Sequence, residues 1–371
     1  MRYLSTRGQA PELAFDDVLL AGLAADGGLY VPAVYPSVSP DEIAALAGVP
    51  YAEAATRLIA PFAEELGLDV LSRATRDAYA GFSHAAIAPL VQIDDNLFVL
   101  ELFQGPTLAF KDLAMQLLGR LMNHILAQRG LKATIVGATS GDTGAAAIDA
   151  FRGQSAVDVF ILYPDGRVSD VQRRQMTTVA DSNVHTIALQ GSFDDAQSIL
   201  KSLFRDAKWR ARLGLAGVNS INWARVVAQM VYYFTSAVAL GAPHRRISFA
   251  VPTGNFGDVL AGYVAKRMGL AIERLIVATN ANDILARALA TGRYEPRGVT
   301  PTQSPSMDIQ VSSNFERLLF DACGRDARRF RQPRAGGRLR YSPRRPRDYP
   351  RGFRCAGGLR ARDQRRDRFH L

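Results

Sequence analysis

Hydrophobic and polar positions follow one repeated order from about residue 131 onward. A short β-branched or aromatic run is followed by a turn rich in Gly, Ser, Asn and Asp, and then by apolar residues at helical spacing. The runs predict strands over residues 133–136, 157–162, 185–188, 247–251 and 275–278, and helices that include 168–179, 226–240 and 259–268. This alternation predicts an α/β fold with a largely parallel sheet buried between helices. Such folds bind ligands at the carboxyl ends of their strands.

The first 90 residues follow a different pattern, with helical segments around residues 40–66 and several turns. We expect an N-terminal accessory domain over residues 1–88, and strands within 89–102 that enter the main body. The catalytic core is expected over residues 89–323, with a smaller α/β subdomain over about 131–210.

Composition narrows the class of protein. With 371 residues and 48% hydrophobic content, the chain can bury sizeable cores. Its two cysteines lie at or beyond residue 323, which excludes a disulfide framework for the body. No apolar run is long enough for a secretory signal or a membrane span, so we expect a cytoplasmic protein without a membrane partner. The five histidines show no ligand spacing, so no metal site is predicted.

The net charge of +10 is unevenly distributed. Residues 325–371 hold 17 of the 45 Lys and Arg but only 4 of the 35 Asp and Glu. The remaining 28 basic and 31 acidic residues give residues 1–324 a formal charge of −3. The body is therefore mildly acidic, and we expect no nucleic-acid partner for it. A nucleic-acid-binding protein that uses the basic tail remains an alternative function.

Lysine is rare: only five of the 45 basic residues are lysines, and Lys111 lies in a mostly apolar segment that leads from a turn into a helix. An ammonium group can lose its proton and attack a carbonyl, whereas a guanidinium cannot, so Lys111 is a candidate Schiff-base lysine. The alternative is a solvated lysine at a helix start beside Asp112.

Three further loops could bind anions. The loop Pro252-Thr-Gly-Asn-Phe-Gly-Asp258 joins a buried strand to a helix and suits a small phosphorylated cofactor, or is only a tight turn. The loop Thr139-Ser-Gly-Asp-Thr-Gly144 could hold a carboxylate, or be an N-cap in which Ser140 or Asp142 caps the helix. The loop Val218-Asn-Ser-Ile-Asn-Trp-Ala-Arg225 could hold a phosphate, or start a helix with Arg225 on a solvated face.

The order of these segments resembles that of threonine synthases. The resemblance rests on Gly-Pro-Thr-Leu-Ala-Phe-Lys111-Asp, Ser140-Gly-Asp-Thr-Gly144, Asn219-Ser-Ile-Asn-x-x-Arg225 and Gly254-Asn-Phe-Gly257. Residues 3–8, 22–32 and 305–316 are also similar to the family. The resemblance covers about residues 1–323 and implies pyridoxal-phosphate fold type II, the tryptophan-synthase-β-like fold.

The resemblance also implies roles. Lys111 would form the Schiff base with pyridoxal 5'-phosphate and later act as general base and acid. The cofactor phosphate would be bound by Gly254, Asn255, Phe256 and Gly257. The substrate carboxylate would be received by Ser140, Gly141, Asp142 and Thr143, and the substrate phosphate by Asn219, Ser220, Asn222 and Arg225. The implied reaction converts O-phospho-L-homoserine and water to L-threonine and phosphate. Another pyridoxal-phosphate β/γ-lyase, such as a dehydratase or an amino-acid phospho-lyase, would share Lys111 and the Gly254–Gly257 loop.

The C-terminal part departs from the family. Threonine synthases continue beyond the segment that resembles residues 305–316, and a hydroxyl residue of that continuation approaches the pyridine nitrogen. Residues 324–371 instead form an Arg-rich tail without apolar periodicity, which we expect to be disordered. We interpret the tail as the product of a frameshift or sequencing error after about residue 324, which would leave the activity of this chain open. The sequence indicates neither an oligomeric state nor regulation.

Overall fold

Two parallel sheets form the framework of the chain in a computed structural model that describes residues 1–328 and 353–355. The first contains β5 (Ala133–Ala138), β6 (Val157–Pro164), β7 (Val184–Leu189) and β8 (Leu215–Ala216), in the order β7-β6-β5-β8. The second contains β9 (Ile247–Pro252), β10 (Ile272–Ala278) and β11 (Phe353–Cys355), in the order β11-β10-β9. All neighbouring strands in both sheets are parallel, so the loops after their carboxyl ends gather at one edge of each sheet.

The N-terminal residues build a mostly helical layer. Its strands β1 (Tyr3–Ser5) and β2 (Tyr30–Pro32) pair antiparallel. Its helices are α1 (Phe15–Ala21), α2 (Pro40–Ala44), α3 (Tyr51–Ile59) and α4 (Leu68–Tyr79), with 3-10 turns at Ala60–Phe62 and Glu64–Leu66. The strands β3 (Leu90–Asp94) and β4 (Leu97–Leu100) form a separate antiparallel hairpin.

Nine further helices cover the two parallel sheets within the described residues. They are α5 (Asp112–Gln128), α6 (Asp142–Phe151), α7 (Asp170–Thr177), α8 (Phe193–Arg205), α9 (Ala207–Leu213), α10 (Trp223–Ala239), α11 (Gly257–Arg267), α12 (Ile284–Thr291) and α13 (Phe315–Ala322), with a 3-10 turn at Pro305–Met307. Helix α10 is buried over most of its length and packs against α3, α5 and α11. It lies in the core because almost all of its faces are apolar.

The structure confirms the α/β alternation but changes three details. The strands form two parallel sheets rather than one, and residues 90–100 form their own hairpin instead of joining either sheet. Helices α10 and α11 begin at Trp223 and Gly257, a few residues before the predicted starts at 226 and 259. Of the predicted disordered tail, residues 329–352 and 356–371 lie outside the described residues, and residues 353–355 form β11.

The described ranges contain neither a membrane-spanning helix nor a metal-binding cluster. No helix among residues 1–328 and 353–355 is long and apolar enough to cross a membrane. The same residues hold no group of three or more His, Cys, Asp or Glu side chains that could bind a metal ion.

Candidate active site

Lys111 immediately precedes α5 in a tightly folded segment. Thr107 donates its N–H and its hydroxyl to the two carboxylate oxygens of Asp112, at 2.8 and 2.6 Å, and Leu108 turns the chain with a φ of 61°. The Lys111 side chain is only 12% exposed and donates to Oδ2 of Asp142 rather than to Asp112. The alternative of a solvated lysine beside Asp112 is therefore wrong.

The surroundings of Lys111 and Asp142 shift both pKa values. Burial lowers the pKa of Lys111, and the charge of Asp142 opposes this shift without reversing it. Burial also raises the pKa of Asp142, but the charge and hydrogen bond of Lys111, with hydrogen bonds from Ser306 Oγ at 2.9 Å and Thr143 N at 2.7 Å, lower it overall. A buried lysine with a lowered pKa reaches its neutral, nucleophilic form more easily than a solvated one.

The loop from Thr139 to Gly144 is held by a hydroxyl that the sequence analysis did not select. Thr139 Oγ1 accepts hydrogen bonds from the N–H groups of Gly141 and Gly144, both at 2.9 Å. The residue before α6 is Gly141, with a φ of 142°, and it makes no side-chain cap. The alternative of a cap by Ser140 or Asp142 is therefore wrong, and Asp142 is left to pair with Lys111.

The loop Gly254–Gly257 joins β9 to the start of α11. Phe256 adopts the left-handed conformation with a φ of 64° and buries its ring, which turns the backbone into the helix. A Cβ on Gly254 would lie 2.9 Å from Ile309 Cδ1, so the segment after the 3-10 turn at Pro305–Met307 packs closely over this loop. The N–H groups in the first turn of α11 have no partner within the helix, and such groups attract phosphate.

The loop Val218–Arg225 carries a deeply buried cation. Arg225 is 3% exposed and donates from Nη1 to Val218 O at 3.2 Å, while its Nε has no hydrogen-bond partner among the described residues. Burial lowers the pKa of Arg225 to about 10, opposed by the charge of Asp142. The alternative that Arg225 lies on a solvated face is therefore wrong, and its unpaired donor suits an anion.

The side chain of Asn222 is fully buried and already bonded within the protein. Its Oδ1 accepts from Ala224 N at 3.1 Å and caps α10, and its Nδ2 donates to Leu19 O at 2.9 Å. Asn219 and Ser140 are exposed, and Ser220 is partly exposed. The structure thus presents Asn222 as the residue that fixes the start of α10, close to Arg225.

The structure brings the predicted segments together. Mutual electrostatic effects connect Lys111, Asp142 and Arg225. Ser306, which hydrogen-bonds Asp142, lies with its carbonyl 3.5 Å from where a Cβ on Gly254 would stand. Residues 305–316 are similar to the family in sequence, but the sequence predicted no role for any of them. The signal in that segment was its run of short hydroxyl and amide side chains.

These residues fit a phosphorylated aldehyde, the chemical class of pyridoxal phosphate. A lysine with a lowered pKa can bind an aldehyde carbon, and the glycine loop at the start of α11 can bind a phosphate. The partnerless Nε of Arg225 leaves a cation for a second anion. The donor set thus accommodates the cofactor and a charged substrate together.

Comparisons with known proteins identify the family of this chain. The family profile described as "Threonine synthase N terminus" matches residues 2–79, and that of "Pyridoxal-phosphate dependent enzyme" matches residues 84–332. The threonine synthase of Pseudomonas aeruginosa is 56% identical over 329 residues, which cover 88% of this chain and 70% of the relative. That of Methylobacillus glycogenes is 48% identical, over 90% of this chain and 73% of the relative.

Solved structures give the same result. The crystal structure of PLP-bound threonine synthase from Brucella melitensis has a TM-score of 0.93 and 57% identity, covering 96% of this chain and 78% of the other. The yeast threonine synthase structure has a TM-score of 0.83 and 43% identity, covering 87% and 67%. These similarities extend over both the N-terminal helical layer and the parallel sheets, and the chain therefore belongs to the threonine synthase family of pyridoxal-phosphate-dependent enzymes.

Proposed function

We propose that this chain converts O-phospho-L-homoserine and water to L-threonine and phosphate, with Lys111 as the residue that binds the cofactor covalently. One observation carries the proposal: a buried lysine is paired with Asp142, whose charge acts on Arg225 and whose second partner, Ser306, packs against the loop Gly254–Gly257. A substrate with its own phosphate, acting beside a cofactor with another, requires two loops suited to phosphate.

The cofactor phosphate would be bound by the backbone of Gly254, Asn255, Phe256 and Gly257. This assignment is supported by the left-handed Phe256, which directs the chain into α11, and by the position of the loop at the start of that helix, where backbone N–H groups point toward a bound anion. The partial positive charge at the helix N-terminus adds to the attraction for a phosphate.

The substrate carboxylate would be received by the loop Ser140, Gly141, Asp142 and Thr143. The start of α6 favours a carboxylate for the same reason that the start of α11 favours a phosphate. The negative charge of Asp142 would repel a carboxylate, but Lys111 and Ser306 both donate to it. We therefore assign the binding to the backbone of this loop, and to Asp142 the task of orienting Lys111.

The substrate phosphate would be held by Asn219, Ser220, Asn222 and Arg225. Arg225 supplies the charge, and its buried position keeps water from competing with the phosphate. Asn222 contributes by capping α10 and so fixing the backbone from which Arg225 extends.

Bound pyridoxal phosphate supplies the electron sink that lets a proton leave Cα and then Cβ of the substrate. Lys111 Nζ takes and returns these protons, since it is the basic nitrogen at the site and its lowered pKa favours the neutral amine. Arg225 stabilises the negative charge that develops on the phosphate as the Cγ–O bond breaks. A proton is delivered to Cγ, and water then adds its hydroxyl at Cβ. The three protons that are released, from Cα, Cβ and the water, end on Cα, Cγ and the departing phosphate, so the overall reaction balances. A cytoplasmic location stays a prediction.

The test is to purify the chain, add pyridoxal phosphate and measure cofactor absorbance together with phosphate release from O-phospho-L-homoserine. We expect both signals in the wild type, loss of both in Lys111→Ala, and retention of both in Lys132→Ala, which replaces an exposed lysine at the start of β5. An unchanged cofactor spectrum in Lys111→Ala would contradict the assignment. Release of phosphate from O-phosphothreonine instead of O-phosphohomoserine would favour a phospho-lyase.

A further inference from the structure

Asn314, the residue before α13, has a side chain that does not cap its own helix. Asparagine at this position normally accepts a hydrogen bond from the first helical turn, but Asn314 makes no such bond. Its Nδ2 instead donates to Ser220 O at 3.0 Å and to Asn255 O at 3.1 Å, and its backbone N also donates to Asn255 O at 3.1 Å. One fully buried amide therefore joins the two loops that we assign to the two phosphates.

Arg317 holds Asn314 and reaches the same region. Its Nη1 donates to Asn314 Oδ1, its Nη2 to Ile221 O at 2.7 Å, and its Nε to Tyr30 O at 2.9 Å. The guanidinium lies over the ring of Trp223, with 5.4 Å from Cζ to the ring centroid. The side chain thus connects the substrate loop, the start of α10, α13 and the N-terminal layer.

The position of Arg317 is costly for stability. The side chain is 0% exposed and makes no ion pair within the described part of the chain, and burial lowers its pKa to about 9. A buried cation without a carboxylate partner contributes little or nothing to the stability of the fold. Its value must lie in the three acceptors that it fixes, because a planar guanidinium holds several acceptors at set angles.

Gly257 lies beside this junction. A Cβ at that position would stand 3.4 Å from Asn314 Nδ2 and 3.8 Å from Ser220 O. The two loops therefore approach each other closely where Asn314 joins them. Ser312 adds a bond from its Oγ to Gly254 O at 2.7 Å, so the same segment holds the first two residues of the cofactor-phosphate loop, Gly254 and Asn255.

We propose that Asn314 and Arg317 are positioning residues that hold the cofactor-phosphate loop, Gly254–Gly257, and the substrate-phosphate loop, Asn219–Arg225, at a fixed separation. The inference rests on the proposed function, because it takes both loops as anion sites. A fixed separation places the substrate phosphate relative to the cofactor ring before either ligand arrives. Such preorganisation raises the affinity for both ligands by reducing the ordering that each must impose.

The decisive variant is Asn314→Asp. It keeps the size of the side chain and an acceptor for Arg317, but it removes the amide that donates to Ser220 O and Asn255 O. We expect the Kd of pyridoxal phosphate for the cofactor-free protein, measured by absorbance titration, to rise about tenfold or more, because both buried hydrogen bonds from this amide are lost. The KM for O-phospho-L-homoserine should rise by a similar factor, with a smaller change in kcat at saturation.

Two arginine variants complete the test. Arg317→Lys keeps the charge but loses the planar guanidinium and its several donors. We therefore expect the cofactor Kd and the substrate KM to rise together in this variant, and to rise further in Arg317→Met. Arg325→Met is the matched control, because Arg325 follows α13 and binds Pro32 O and Ala33 O at 2.8 and 2.6 Å but contacts neither loop. We expect it to lower the thermal stability and to leave the cofactor Kd and the substrate KM unchanged.

A folded Asn314→Asp variant whose cofactor Kd and substrate KM both stay within about twofold of the wild type would overturn the inference, as would a change in only one of them. An equal loss in Arg325→Met would also overturn it, since general destabilisation would then explain the effect. A wild-type chain that binds cofactor but releases no phosphate from O-phospho-L-homoserine would overturn the proposed function and this inference with it.

Discussion

Replacement of Arg225 by methionine should make the protein more stable and less active. Arg225 is 3% exposed, and burial lowers its pKa from the ordinary value of a guanidinium to about 10. That shift corresponds to a cost of about 3 kcal/mol for keeping the charge in the folded state. Because the depressed pKa still lies above neutrality, the side chain is charged in both states at neutral pH, and the full cost applies there.

The expected gain is smaller than this cost. Arg225→Met removes the charge-assisted hydrogen bond from Nη1 to Val218 O, which is long at 3.2 Å and is worth about 1.5 kcal/mol. Methionine is flexible and apolar, so it can fill the space that the arginine stem occupies. We expect the free energy of unfolding in urea, measured without cofactor at neutral pH, to rise by about 1.5 kcal/mol.

The loss of activity should be large. Each charge-assisted hydrogen bond to the substrate phosphate contributes about 1.5 to 3 kcal/mol, and Arg225 can make two. The value of kcat/KM for phosphate release should therefore fall at least about 100-fold. A loss of stability comparable to that of Arg325→Met, or a kcat/KM within about tenfold of the wild type, would refute the view that Arg225 is kept for a ligand.

Two further substitutions test the surroundings of Lys111 and the packing of α5 against α6. Asp142→Asn removes the charge that opposes the lowering of the Lys111 pKa, so the pH profile of the cofactor-association rate should extend to lower pH; an unshifted profile would count against the pair. Gly119→Ala would place a Cβ 2.4 Å from Ala150 O and should lower the free energy of unfolding by about 2 kcal/mol. Gly81→Ala, where nothing lies within 4 Å, is its control, and equal losses in the two variants would disprove the proposed clash.

The sequence indicated the loops of the site because their position follows from local pattern. Each loop after β5 and β9 comes where a buried strand gives way to a helix, and parallel strands bring such loops to one edge. The division into two sheets could not be predicted in this way. Alternation shows that strands exist, but strand partners depend on contacts between residues far apart in the chain.

The environment of Arg225 was left open by the sequence for a related reason. Its neighbours in the helix are almost all apolar, and an isolated arginine in such a run is usually solvated. Whether α10 lies at the surface depends on how many other elements cover it, and here α3, α5 and α11 do so. The pairing of Lys111 with Asp142 was missed because the two residues are 31 positions apart.

The two buried arginines differ in a way that separates a binding residue from a positioning one. Both have pKa values that burial lowers, so each costs stability for the same physical reason. The guanidinium of Arg317 donates from Nε, Nη1 and Nη2 to acceptors within the protein, so a ligand would have to compete with these bonds. The Nε of Arg225 has no such partner among the described residues, so an arriving phosphate would relieve part of its cost. Phosphate should therefore raise the stability of the wild type more than that of Arg225→Met, whereas Arg317→Met should weaken that effect only through the loops that it no longer holds.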